Sequence, residues 1–573
     1  MNVEIRKRAE VWLGPEYDER TRAEVKRMLD NEDESELIEC FYKDLEFGTG
    51  GLRGIMGPGT NRMNNFTVGM ATQGLVNYLK KQFPGKQLSG VVACDSRNNS
   101  RDLADVVAYV FVANGIKAYL FSDPRPTPEL SFAIRHLKCD TGVVITASHN
   151  PKEYNGYKAY WNDGSQVVEP HDAGIIAEVS AIKSVNEVNY KGGMELFRLL
   201  QLDDYYLNAL ATLMRRTEEL SSEEKCANKI VYTGLHGTGS TVIPKFLKQL
   251  GYTNHLCVSA QSVMDGNFPT VESPNPEDPR AWKLALELAE ESGANLALAT
   301  DPDADRAGVA IRDDKNELRL LNGNQTAALL AYYILDTLKE KELLLKKDYM
   351  VKTIVTSSLL NAIAKHFGVK IFEVLTGFKY IAAVIREKSR QRFVCGGEES
   401  YGFLIGNYVR DKDAVVTCGM IAEMAAMASK NGKTLYDLLM ELYLRFGLFH
   451  DRMLSLTRKG KDGLEEIQSM MKNYRDNPPK TIDGSEVVAI SDYLSLEHRK
   501  TSTGRVTRIN QPQSDVLQFL TSDKTLISIR PSGTEPKIKF YFELRAELND
   551  RADYQNKLDM LNAKYDRITK ELI

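Results

Sequence analysis

Short apolar runs alternate with amphipathic stretches along most of this chain, and the alternation recurs three times. In the first passage Val91–Ala93 reads as a buried strand, 102–114 as a helix, and Ile116–Phe121 and Val143–Ile145 as further strands. In the second, Ile230–Tyr232 precedes a helix near 240–250, and a helix at 281–292 leads into the strand Leu296–Ala299. In the third, Tyr349–Val355, Val369–Val374 and Phe393–Val394 are strands set between helices. Strands separated by helices predict parallel sheets with helices on both faces. Each passage carries a Gly- or Asp-rich loop at the carboxyl end of a strand, where open α/β sheets bind ligands. Residues 1–46 read as helix, with Ala23, Val25, Met28 and Leu29 at helical spacing among charges. The stretch Phe47-Gly-Thr-Gly-Gly-Leu-Arg-Gly54 breaks that pattern. The tail differs again: strand runs Leu526–Arg530 and Ile538–Leu544 flank a Pro/Gly loop and precede a final helix, as in a smaller antiparallel α+β domain. The expected architecture is α/β, with three α/β sheet domains over 1–205, 206–320 and 321–450 and the α+β domain over 451–573.

A length of 573 residues requires several domains of this size. An apolar fraction of 43% and a charged fraction of 27% are those of an ordinary globular protein. The net charge of −4 argues against a nucleic-acid binder that depends on phosphate attraction. The seven cysteines form no C-x-x-C pair, which fits reduced thiols in a cytoplasm rather than a disulfide framework. Met1–Trp12 is charged and lacks the apolar core of a secretory signal, and no apolar run is long enough to span a bilayer. A cytoplasmic location with no membrane or nucleic-acid partner is the expectation.

Four loops carry the chemistry. Thr146-Ala-Ser-His-Asn-Pro151 follows the strand Val143–Ile145, so Ser148 stands at a strand end, either as a presented hydroxyl or in an ordinary Ser-rich turn. It lacks the G-x-S-x-G elbow, and alternation along an extended segment predicts that His149 points away from it. Asp301-Pro-Asp-Ala-Asp-Arg306 places three carboxylates at alternate positions after a buried strand, which predicts that they face one side. A hard cation would resolve that charge, and all-oxygen ligands favour Mg²⁺ or Ca²⁺. An EF-hand is excluded, because Arg306 and Arg312 stand where its Gly and Glu belong. Gly396-Gly-Glu-Glu-Ser400 has residues able to bond sugar hydroxyls, although a tight turn fits as well. Arg530-Pro-Ser-Gly-Thr-Glu-Pro-Lys537 can clamp a phosphate, or can be a plain hairpin loop.

Taken in order, these loops resemble those of the α-D-phosphohexomutase superfamily, the phosphoglucomutases and phosphomannomutases, with the wording closest to the phosphoglucomutase-2 branch. Gly50-Gly-Leu-Arg-Gly54, Tyr154-Asn-Gly-Tyr-Lys158, Leu235-His-Gly237 and Thr376-Gly-Phe-Lys379 add to the resemblance, which runs from about residue 40 to 545. The resemblance implies four domains around a central cleft and a mutase that interconverts sugar 1-phosphate and sugar 6-phosphate. It implies a phosphorylated Ser148, a sugar bisphosphate intermediate and a sugar 1,6-bisphosphate activator. Mg²⁺ would be held by Asp301, Asp303, Asp305 and the Ser148 phosphate. Arg53, Lys158 and Arg306 would surround the transferring phosphoryl. Glu398, Ser400, Thr376, Gly377 and Lys379 would line the sugar site, and Arg530, Ser532, Gly533, Thr534 and Lys537 would grip the phosphate that is not reacting.

The acid/base is less well marked. Some relatives place a His soon after the sugar-loop serine, but here the first His beyond Ser400 is His450. Others use a Lys in an Arg-x-Lys-Asp segment, which Arg410-Asp-Lys-Asp413 matches, making Lys412 the candidate. Phosphopentomutase, phosphomannomutase and sugar-bisphosphate synthase activities are alternatives within the same loops, and a sugar-phosphate sensor is the alternative outside enzymes. Retention of Ser148, the aspartates and the phosphate loop argues against the sensor.

Overall fold

The computed structural model describes residues 2–48, 51–458, 460–532 and 537–573. The chain forms two compact units. One holds Met1–Asn322, Ala382–Cys395 and Ser400–Gly432, and the other Gly323–Ile381, Gly396–Glu399 and Lys433–Ile573.

The first unit opens on helices Asn2–Val11, Glu19–Asp30 and Ser35–Phe41, not one continuous helix. The Gly14-Pro15 pair interrupts the first pattern, and Asp18 caps the second helix by accepting from Thr21 N. Trp12 stacks on Tyr17 at 4.6 Å and holds the turn to the body of the unit.

The six-stranded sheet that follows contains β1 (Gly51–Ile55), β2 (Ser89–Cys94), β3 (Lys117–Phe121), β4 (Thr141–Ile145), β5 (Tyr154–Trp161) and β6 (Phe197–Leu200), in the order β1-β5-β4-β2-β3-β6. Its β4-β2-β3-β6 part is parallel, as the alternation predicts. The β5 strand departs from that expectation and runs antiparallel to both β4 and β1. The physical reason is the connection. Residues 146–153 hold no crossover helix, so the chain can only turn back on itself. Val143, Val144 and Ile145 of β4 are fully buried, each side chain contributing about 1.5–3 kcal/mol.

A five-stranded sheet repeats this design with β7 (Ile230–Thr233), β8 (His255–Cys257), β9 (Leu296–Thr300), β10 (Ala307–Arg312) and β11 (Leu318–Leu321), in the order β11-β10-β9-β7-β8. Here β7 is parallel to β8 and β9, while β10 returns antiparallel after a short loop. Helix Ala414–Lys430, buried along residues 414–428, packs against helix Gly239–Gln249 of this region.

The second unit contains a parallel pair, β12 (Asp348–Thr353) and β13 (Lys370–Val374). Between these and the C-terminal strands in the chain come β14 (Arg392–Glu398) and β15 (Gly402–Ile405), of which β15 belongs to the first unit. The C-terminal part is an eight-stranded antiparallel sheet of β16 (Leu448–Thr457), β17 (Thr481–Ile482), β18 (Ser485–Asp492), β19 (Glu497–Lys500), β20 (Val506–Arg508), β21 (Leu517–Thr521), β22 (Leu526–Pro531) and β23 (Lys537–Ala546). The long pairing of β16 with β23 anchors it, and helix Tyr554–Leu572 covers it through Phe542 and Tyr565, 5.1 Å apart. Among the described residues no helix is long and apolar enough to cross a membrane.

Candidate active site

Ser148 lies in the β4–β5 hairpin loop. Its N–H donates to Thr146 Oγ1 at 2.8 Å, and its φ of 54° places a non-glycine residue in the left-handed region. The side chain is 4% exposed, and Oγ donates to Asp301 Oδ2 at 2.8 Å. The left-handed turn overrides the alternation expected for an extended segment. His149 therefore does not point away, and its Nδ1 lies 3.2 Å from Ser148 Oγ. The base of the hairpin requires Gly156: a Cβ there would meet Thr146 O at 2.5 Å.

The aspartate loop joins β9 to β10. Asp301, Asp303 and Asp305 are buried, and one oxygen from each lies within 4.8 Å of the others. They converge by a turn and not by extended alternation. Ala304 has φ 49°, its N–H donates to Asp301 O at 3.0 Å, and the N–H groups of Asp305 and Arg306 both donate to Asp301 Oδ1 at 3.1 Å.

Cations and donors surround the cluster. Asp303 Oδ2 accepts from Lys158 Nζ and from Thr127 Oγ1, each at 2.9 Å. Lys412 Nζ lies 3.0 Å from Asp305 Oδ2 and from Asp411 Oδ1. Burial, then Asp303 and Asp305, push the Asp301 carboxyl well above the usual carboxylate range. Burial acts the same way on Asp303, but the Lys158 ammonium outweighs it and holds that carboxyl below the usual range. Lys158 is raised in return, since burial would lower it and Asp303 and Asp305 raise it more.

Asp303 Oδ1 and Asp305 Oδ1 have no hydrogen-bond partner among the described residues, although both are buried. Two orphaned carboxylate oxygens in a buried cluster of three aspartates are what a hard divalent cation would satisfy, and the donor set is all oxygen. These residues fit Mg²⁺.

The segment 410–413 is divided by role. Asp413 caps helix Ala414–Lys430 through the N–H groups of Val415 and Val416. Asp411 accepts from Tyr160 Oη at 2.6 Å and from Gln166 Nε2 at 3.1 Å, which fixes the carboxylate beside Lys412. Ala414 N donates to Ala304 O at 3.2 Å and ties this helix start to the aspartate loop. Arg306 pairs with Glu277. Arg53, on β1, is in register with Gly156 at the hairpin base and is exposed.

In the second unit Glu398 Oε1 accepts from Gly377 N at 2.8 Å, so the sugar-loop glutamate and Thr376–Lys379 are in contact. Thr376 Oγ1 is buried without a hydrogen-bond partner among the described residues, and Lys379 Nζ lies 5.1 Å from the Tyr380 ring centre. Ser400, half-buried, belongs to the first unit. Arg530 is in register with Lys539 on β22 and β23, and Ser532 N donates to Lys537 O at 2.7 Å. Gly533 and Thr534, like Gly50, lie outside the described residues. Thr127, Asp411 and Tyr160 were not legible as site residues. Pro128 beside Thr127 signals a helix start, but nothing in that pattern says what the helix end touches.

The class this fold and cluster define is the phosphohexomutase. The chain matches all four domain families of the phosphoglucomutase/phosphomannomutases: alpha/beta/alpha domain I over 44–186, domain II over 204–315, domain III over 322–446 and the C-terminal domain over 459–557. It is 38% identical over 532 residues to the phosphoglucomutase of Staphylococcus aureus strain N315, covering 91% of this chain and 93% of that protein. Two solved structures share the fold. The parafusin (phosphoglucomutase) of Paramecium has a TM-score of 0.67 and 18% identity, covering 92% of this chain and 95% of that one. A phosphoglucomutase/phosphomannomutase family protein of Burkholderia thailandensis has a TM-score of 0.66 and 18% identity, covering 92% and 97%. The chain belongs to the phosphoglucomutase/phosphomannomutase family. It is an isomerase of carbohydrate metabolism with three α/β domains and a C-terminal α+β domain.

Proposed function

We propose that the enzyme interconverts glucose 1-phosphate and glucose 6-phosphate through a phosphate carried on Ser148 and a glucose 1,6-bisphosphate intermediate. The observation that carries this reading is the 2.8 Å contact between Ser148 Oγ and Asp301, one of three buried carboxylates with orphaned oxygens beside them. The likeness to a phosphoglucomutase supports glucose as the sugar.

In this mechanism the bond from phosphorus to Ser148 Oγ breaks as a bond to a sugar hydroxyl oxygen forms. The second phosphate of the bisphosphate later returns to Ser148, after the sugar has turned over. Mg²⁺ held by Asp301, Asp303, Asp305 and a phosphate oxygen on Ser148 would offset charge on the transferring phosphoryl. Lys158, Arg306 and Arg53 orient that group. Lys412 exchanges a proton with the sugar hydroxyl and is positioned by Asp411. Glu398, Ser400 and Thr376–Lys379 bind sugar hydroxyls, while Arg530, Ser532, Gly533, Thr534 and Lys537 bind the phosphate that is not reacting. Free glucose 1,6-bisphosphate activates by recharging Ser148.

The test is Ser148→Ala in a coupled assay with glucose, mannose, glucosamine and ribose 1-phosphates. Turnover should fall on the order of 10⁴-fold or more. Intact mass should show one phosphate gained from glucose 1,6-bisphosphate by the wild type and none by the variant. Near-normal turnover in the variant would sink the phosphoserine mechanism, and faster turnover of another sugar would replace glucose.

A further inference from the structure

Five backbone carbonyls in and beside the serine loop accept from side chains outside it. Arg97, in the turn after β2, is 3% exposed. Its Nη2 donates to Ser148 O at 2.6 Å and to Asn150 O at 2.5 Å, and its Nη1 donates to Pro151 O at 2.8 Å and Tyr154 O at 3.2 Å. A fifth, His149 O, accepts from Ser273 Oγ at 3.3 Å. Arg97 Nε faces Asp95 Oδ2 at 3.3 Å, and its guanidinium carbon lies 5.1 Å from the Phe268 ring centre. Asp95 is itself fixed, because its Oδ1 accepts from Arg97 N at 2.9 Å and from Ser100 Oγ at 2.7 Å.

This arginine differs from the others near the site. Its four Nη hydrogens go to backbone carbonyls, and its buried Nε makes no hydrogen bond but faces the Asp95 carboxylate at 3.3 Å, so the guanidinium is committed to protein. A planar fork serving successive carbonyls suits a loop whose shape must be kept, and a single ammonium cannot replace it. The loop has such a shape, since Ser148 sits at φ 54°, a conformation that side-chain-bearing residues rarely hold.

We propose that Arg97, braced by Asp95, is a positioning residue for phosphoryl transfer: it clamps the serine loop so that Ser148 Oγ stays aimed at the aspartate cluster. The proposal rests on Ser148 being the phosphoryl carrier. Misplacement of a reacting atom by about 1 Å costs about 10²-fold in rate. Arg97→Ala should therefore lower kcat by about 10²-fold with KM for the sugar phosphate nearly unchanged, and should slow Ser148 phosphorylation by glucose 1,6-bisphosphate equally. Arg97→Lys should recover little. Guanidinium chloride at millimolar concentration should restore part of kcat to Arg97→Ala, where potassium chloride does not.

Amide exchange separates this idea from the nucleophile reading. The Ser148 and Asn150 amides, bonded to Thr146 Oγ1 and Ala147 O, should exchange faster in Arg97→Ala and as in wild type in Ser148→Ala. If Arg97→Ala does not fold, Asp95→Asn is read in the same way. An unchanged kcat, a defect confined to KM, or unaltered exchange of these two amides overturns the clamp. Active Ser148→Ala with normal exchange would overturn the nucleophile and with it the role of the clamp in phosphoryl transfer, leaving Arg97 only a hold on the shape of the loop.

Discussion

At Asp303 one carboxylate serves two purposes that substitution can separate. Its Oδ2 receives Lys158 and Thr127, while its Oδ1 is buried without a hydrogen bond. Asp303→Asn keeps the shape and removes the charge. The Mg²⁺ concentration for half-maximal activity should rise by at least about tenfold, because ligand charge sets affinity for hard cations. Calorimetric Mg²⁺ binding should weaken in step. Wild-type protein stripped with EDTA should be inactive and recover with Mg²⁺, and activity that persists after stripping would remove the metal role. The sequence singled out the three aspartates by their spacing and Ser148 by its place in the family resemblance, and the fold brings the four together. Their geometry was not legible there. The left-handed turns at Ser148 and Ala304 leave no periodic trace, so the orientation of His149 was misread and the aspartates converge by another route than alternation. Thr127 and Arg97 act through polar contacts with residues far along the chain, which no local pattern encodes.

Helix Thr127–Leu137 aims its first residue at the aspartate loop, with Thr127 N donating to Asp303 O at 2.9 Å. Two residues on, Glu129 is fully buried with neither carboxylate oxygen hydrogen-bonded among the described residues, and Arg125 Nε lies 4.0 Å away. Burial, then Asp203, push this carboxyl up to about 8, against the pull of Arg125 and Lys245 and with Asp413 adding to the rise. Stability from the neutral form is fully present below the unfolded value of 4.5. It drains away as pH rises toward 8, because the unfolded chain ionises while the folded one keeps its proton. The loss amounts to a few kcal/mol at most. Glu129→Gln, neutral throughout, should lose less Tm between pH 5 and pH 8 than the wild type, by thermal unfolding followed with circular dichroism. Parallel curves for the two proteins would refute this. At this scale the strand–helix alternation and the C-terminal strand pair were readable, but the antiparallel β5 and β10 were not. Their direction depends on how short the preceding loops are, and those loops had been read for chemistry alone.

The two units are interleaved along the chain, which leaves the first at Asn322, re-enters it at Ala382 and again at Ser400, and completes it at Gly432. The segment that completes it includes helix Ala414–Lys430, buried along residues 414–428 and packed on helix Gly239–Gln249. During synthesis the five-stranded sheet region therefore emerges from the ribosome without its cover. At 5–20 residues per second, the missing helix follows roughly 5–20 s later. For that interval Val242, Ile243 and Phe246, fully buried in the finished protein, are joined to a chain that cannot yet bury them as the native state does. A fragment ending at Asn322 freezes that moment. It should bind the dye ANS strongly and lack a cooperative transition for residues 204–315, whereas a soluble, dye-silent fragment with a sharp transition would show that the helix is dispensable. The order of the chain thus builds in a wait, since residues 239–249 are made well before the helix that packs on them in the folded protein.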